Sequence, residues 1–164
     1  MTLHERYDRL LDKLVAEVKV HYGPDLVSCV VFGSVGRGTP REDSDVDLLI
    51  VAERLPRGRM QRSDHFLPVE EKLTPQLAGF GGETGTVALS PIFKTPAEVR
   101  FGSPIFLDMV DDSKILYDRD GFFDAYLTQL RRRLERLGAR RIWRGNGWHW
   151  LLKPDLKPGE VFEI

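Results

Sequence analysis

The chain reads as an α/β (α+β) protein, a mixed β-sheet with helices packed against it. Three observations lead there. Residues 27–32 and 48–52 are short apolar runs rich in β-branched side chains and bounded by turn residues, the pattern of buried strands. Residues 2–22 and 121–137 carry apolar side chains at helical spacing on either side of them. Taken along the chain, the signals run helix, strand, turn, strand, helix, strand, helix, strand, helix, an order that suits a sheet covered by helices.

The first helix, 2–22, places Leu3, Tyr7, Leu10, Leu11, Leu14, Val15 and Val18 on one stripe. Thr2 with Glu5 three residues on forms a capping-box pattern, and Gly23-Pro24 stops the helix. After the two strands, residues 54–64 are polar and basic and predict a loop or the start of a helix. Residues 69–77 have a helical pattern that Pro75 interrupts. Residues 78–85 hold four glycines and predict a mobile loop. A strand is expected over 86–94, then a short helix opened by Thr95-Pro96-Ala97-Glu98, with Pro at the first helical position. Short apolar pieces at 104–110 and 115–117 flank the acidic turn Asp111-Asp112. The last helix, 121–137, sets Phe123, Leu127, Leu130, Leu134 and Leu137 on one face and ends at Gly138. The tail, 139–164, contains Trp143, Trp148 and Trp150 and is expected to be extended and to pack back on the rest. The whole suits one domain over 1–164, with a core at about 1–118 and a C-terminal helix and tail at 119–164.

Composition excludes more than it assigns. With 164 residues, 41% hydrophobic, the chain is long enough for a substantial core. A net charge of −1 gives no overall drive toward nucleic acid or acidic membranes. Cys29, the one cysteine, lies in the first apolar run and reads as a buried core residue in a reducing compartment. No apolar stretch is long enough for a membrane span, and residues 1–12 are too charged for a secretory signal, so the expectation is a cytoplasmic protein.

The segment from Gly33 to Asp47 carries the chemistry. Gly33-Ser34 leaves the first strand, ten residues of turn-forming and charged sequence follow, and Asp45-Val46-Asp47 enters the second. Alternate residues share a face of a strand, so Asp45 and Asp47 point the same way while Val46 faces the core. Two neighbouring carboxylates repel, and a hard divalent cation carrying a phosphate offsets that cost.

At these residues the segment resembles the nucleotidyltransferase superfamily that includes DNA polymerase beta, and within it the minimal nucleotidyltransferases. Gly33, Ser34, Asp45 and Asp47 match the signature Gly-Ser, ten residues, Asp-x-Asp; Arg37-Gly38 and Ser44 match its usual wording. The resemblance covers roughly the first half of the chain and implies that Asp45 and Asp47 are the catalytic pair, binding Mg²⁺ or Mn²⁺. It implies that Gly33, Ser34, Arg37 and Ser44 bind the nucleotide, ATP or another NTP. The implied reaction moves a nucleoside monophosphate onto a hydroxyl with loss of pyrophosphate. The implied acceptor is open: a partner protein, such as the toxin of a toxin–antitoxin pair, suits a chain this small, and small molecules or RNA are the alternatives.

The family's third acidic residue, supplied by a later strand, has no counterpart in the strand at 86–94; Ser90 or Pro91 stands about where it is expected. Glu83 and Asp108 flank that strand without the right context, and a carboxylate from 69–72 is another candidate. A nucleotide-binding or protein-interaction module with impaired chemistry is therefore the second reading. An RNA-binding protein using Arg131, Arg132, Arg133, Arg136, Arg140, Arg141 and Arg144 is the third, although a solvated polar face explains most of these arginines. His4, His21, His65 and His149 show no metal-ligand spacing, and nothing resembles a Walker loop or a Ser-His-Asp arrangement.

Overall fold

A computed structural model of the chain describes residues 1–80 and 87–164. Its centre is a four-stranded sheet in the order β3-β2-β1-β4. Strand β1 (Leu26–Phe32) runs antiparallel to both β2 (Val46–Ala52) and β4 (Lys114–Asp118), and β3 (Leu89–Lys94) is added parallel to β2. Every residue of β1 is buried, which is why its sequence is a continuous apolar run and not an alternating one.

The pleat sorts that run onto two faces. Cys29, Val31, Leu48 and Ile50 point to a core closed by α1 (Leu3–Tyr22) and α3 (Arg59–Ala78). Val30, Phe32, Leu49 and Val51 point the other way, to Phe106, Met109, Phe123 and Leu127. These come from α5 (Phe106–Met109) and α6 (Phe122–Leu137), beside α4 (Pro96–Phe101).

The ends of these helices follow local chemistry. Thr2 and Thr95 each accept from the backbone amide of a glutamate three residues on, and Glu5 and Glu98 accept in return from the cap amides. Gly138, left-handed at φ 70°, ends α6. Helix α3 is longer than its pattern predicts: it starts at Arg59 and continues through Pro68 and Pro75. Phe66, Val69, Leu73 and Leu77 bury one face of it, and that burial outweighs the backbone bonds the prolines remove.

The tail corrects an expectation. It is not simply extended: β5 (Arg140–Arg144) and β6 (Gly147–Leu151) pair antiparallel as a separate hairpin around the two-residue loop Gly145-Asn146. Gly145 has φ 61°, the positive value such a tight loop requires. The glycine-rich stretch at 78–85 falls largely on residues 81–86, outside the described residues. No helix among the described residues is long and apolar enough to cross a membrane.

Candidate active site

Strand β1 delivers the chain to the sheet edge at Phe32, where the four-residue helix α2 (Gly33–Gly36) turns it over. Strand β2 returns antiparallel, pairing Asp47 with Phe32. The two ends of the motif therefore meet. Gly33 sits at φ 66°, and a Cβ built on it would lie 2.2 Å from Asp47 Oδ2. Only glycine lets backbone and carboxylate approach this closely. Gly36 is enclosed as tightly: its Cβ would stand 2.5 Å from the Val31 carbonyl oxygen and 2.8 Å from that of Asp112.

Asp45, exposed, immediately precedes β2; Val46 between the two aspartates is fully buried. The Ala88 amide donates to Asp45 Oδ1 at 2.9 Å and the Val46 amide to the Ala88 carbonyl at 2.9 Å, which ties the approach to β3 onto the pair. Asp47 is partly buried. Burial pushes its carboxyl above the usual carboxylate range, and the charge of Asp45 adds to the rise. A divalent cation would relieve both effects, and carboxylate oxygens are the donors Mg²⁺ takes, so this pair fits such an ion.

No group of three or more His, Cys, Asp or Glu side chains among the described residues converges to hold a metal. Glu83 lies outside the described residues. Asp108 does not supply a third ligand: its Oδ1 accepts from the indole N–H groups of Trp148 at 2.7 Å and Trp150 at 3.0 Å. From 69–72, Glu70 is raised in pKa by burial on α3 and joins no metal-binding group.

Three of the other sequence-derived residues come together. Ser34, Arg37 and Ser44 line one cleft of about 570 Å³, joined there by Arg41. Ser44 also shapes the turn: its hydroxyl accepts from the Arg41 amide at 2.9 Å, and its carbonyl accepts from the Tyr7 hydroxyl at 2.7 Å. Arg37 donates through Nη1 to Asp112 at 3.2 Å and through Nε to Thr39 Oγ1 at 3.3 Å.

The far wall of the cleft was not legible as such in the tail. It is Trp143, Gly145 and Asn146 of the hairpin. Asp112, 6% exposed, holds that hairpin to the turn by bridging Arg37 and Arg141, the latter at 3.0 Å. Trp148 lies under both guanidinium groups, with Arg37 5.2 Å and Arg141 4.7 Å from its ring centre. Arg141 is thus not part of a solvated face, whereas Arg131, Arg132, Arg133 and Arg136 on α6 are exposed.

The model of the nucleotidyltransferase domain family matches residues 11–103, which span the Gly-Ser turn, the aspartate pair and β3. The chain belongs to that family. An inferred protein adenylyltransferase of Methanocaldococcus jannaschii is 33% identical over 132 residues, covering 79% of this chain and 84% of the relative. Among solved structures, a toxin–antitoxin structure with AMP-PNP superposes with a TM-score of 0.51 at 17% identity, over 77% of this chain and 88% of that one. A spectinomycin adenyltransferase from Enterococcus faecialis, with ATP and spectinomycin, gives 0.53 at 12% identity, over 79% of this chain and 66% of that one. At these identities the structures share the fold, a mixed sheet with helices. The chain is a nucleotidyltransferase, an enzyme class in keeping with its Gly-Ser…Asp-x-Asp motif.

Proposed function

We propose that this nucleotidyltransferase is a metal-dependent adenylyltransferase that transfers AMP from ATP to a hydroxyl of a partner protein. The observation that carries the reading is the contact of Gly33 with Asp47, which sets the turn against a carboxylate whose charge is disfavoured without a cation. Adenylyl chemistry and a protein acceptor are supported by the inferred activity of the archaeal relative. The toxin–antitoxin neighbour with AMP-PNP, a likeness of fold, is in keeping with both.

In this reading Asp45 and Asp47 hold Mg²⁺, which when bound polarises the α-phosphate and neutralises the leaving pyrophosphate. The Gly33-Ser34 turn and Arg37 orient the phosphates, and Ser44 keeps the connecting turn in shape. The acceptor oxygen attacks the α-phosphorus in line, the bond from that phosphorus to the bridging oxygen breaks, and pyrophosphate departs. In this reading Asp45, the more exposed carboxylate, takes the hydroxyl proton, directly or through water.

A second reading, a nucleotide-binding module with impaired turnover, is favoured by one observation: Ser90, not an acid, stands beside Asp47. Label transfer from α-phosphate-labelled ATP with Mg²⁺, in lysate of the source organism, decides between them. Label on a protein that disappears with Asp45→Asn, Asp47→Asn supports the enzyme. Metal-dependent ATP binding without transfer supports the module.

A further inference from the structure

The cleft between the Gly33–Asp47 connection and the C-terminal hairpin joins two parts of the chain far apart in sequence. One side presents Arg37, Arg41 and the hydroxyls of Ser34, Thr39 and Ser44, an anion-binding set that outnumbers the single carboxylate beside it, Asp43. The aspartate pair is not part of its lining, so the cleft extends the site away from the metal-binding end. The opposite side is the hairpin tip, which lies beyond the stretch matched by the family model.

A two-stranded hairpin is marginal by itself, and this one does not join the main sheet. Its position is fixed by the Arg37–Asp112–Arg141 bridge, by Trp148 beneath both guanidiniums, and by the bonds from Trp148 and Trp150 to Asp108. Those contacts leave Trp143 about half exposed at the cleft, 53%, and Asn146 at the tip. Anchoring through Arg37 means that the wall is registered to the residue that lines the floor.

We infer that the β5–β6 hairpin is the outer wall of the polyphosphate end of the nucleotide site, with Asn146 facing the β- and γ-phosphates and Trp143 excluding water beside them. This rests on the nucleotide reading above. The donor set favours phosphate over nucleobase: on the side the hairpin faces, the guanidiniums of Arg37 and Arg41 and the hydroxyls of Ser34, Thr39 and Ser44 outnumber the one carboxylate, Asp43.

Asn146 is exposed at a loop tip, so its replacements test the site without unfolding the chain. Binding of pyrophosphate and of AMP, each with Mg²⁺, is measured by calorimetry on the full chain for wild type, Asn146→Ala, Asn146→Asp and Asn146→Lys. The inference expects Asn146→Ala to weaken pyrophosphate about 3- to 10-fold, the worth of one hydrogen bond. It expects Asn146→Asp to weaken it further and Asn146→Lys to restore or tighten it, while AMP, with one phosphate that makes no bond to Asn146, changes in the same sense but by a clearly smaller factor. A structural role of the tip does not produce opposite effects for opposite charges. Pyrophosphate affinity equal in all four proteins overturns the inference and leaves the nucleotide reading standing. AMP affinity falling in step with pyrophosphate overturns it as well, because it places the nucleoside end at the hairpin. Wild type binding neither AMP nor pyrophosphate removes the nucleotide reading and this inference with it.

Discussion

Asp47 pairs with Ser90 across the parallel β2–β3 ladder. Paired residues of adjacent strands present side chains to the same face, so Ser90 is what β3 offers beside the aspartate. It occupies the place where the family resemblance implies a third acid. Ser90→Asp should therefore tighten Mg²⁺ binding about tenfold, since carboxylate count sets affinity for such ions. It should also raise AMP transfer and destabilise the metal-free protein by adding a third charge. Mg²⁺ titration by calorimetry checks the first point; unchanged affinity would mean that Ser90 does not reach the ion.

Asp47 should cost the metal-free protein stability at neutral pH. Its folded-state pKa is raised, by burial first and then by Asp45, so the folded chain holds this proton more tightly than the unfolded one. The resulting stabilisation is complete below the unfolded carboxylate value of about 3.9 and is lost as pH rises through the raised folded value. In EDTA, Asp47→Asn should raise Tm at pH 7 by a few degrees and flatten its fall between acid and neutral pH. With Mg²⁺ and ATP the order should reverse, and transfer should drop by about 100-fold or more. A variant no more stable than wild type in EDTA would argue against a strained pair.

Gly33 and Gly36 should respond differently to alanine. At Gly33 the new Cβ meets a side chain, Asp47 Oδ2, at a positive φ. The carboxylate can rotate away, so Gly33→Ala should cost about 1–2 kcal/mol of stability but most of the activity. At Gly36 the Cβ meets backbone oxygens of Val31 and Asp112, which cannot step aside. Gly36→Ala should cost more, about 3 kcal/mol. Urea unfolding of both variants with a parallel transfer assay separates the two cases.

Sequence legibility followed the range of the interactions. The capping boxes at Thr2 and Thr95 and the glycine stop at Gly138 are local signals, and each appears where the pattern puts it. The continuous apolar runs of β1 and β2 exposed the sheet centre because both faces are covered. The start of α3 was obscured because its stability comes from Phe66 and Leu73 packing on α1 and the sheet, not from propensity. The hairpin had a local signal, Gly145-Asn146 between two runs of alternating side chains, masked by the aromatic and basic character of the tail. The role of Asp112 had no local signal: it depends on Arg37 and Arg141 arriving from opposite sides of the fold.

That bridge makes the last prediction. Asp112 has 8% of its side chain exposed and Arg141 11%, whereas Arg37 keeps 30%. Removing the carboxylate leaves Arg141 among Trp143, Trp148 and Trp150 with Nε and Nη2 lacking hydrogen-bond partners and only the more distant, half-exposed Asp111 carboxylate, 3.7 Å from Nη2, to balance its charge. Asp112→Ala should therefore destabilise the protein by about 3–5 kcal/mol, the cost of breaking a buried pair. Arg37, free to reach solvent, should lose its fixed orientation, so KM for ATP should rise more than kcat falls. Replacing both buried members, Asp112→Leu with Arg141→Met, should recover most of the stability, because no charge is then stranded. It should not recover KM, since Arg37 still lacks its anchor. A double variant that regains both would show that Asp112 only holds the hairpin and does not position Arg37.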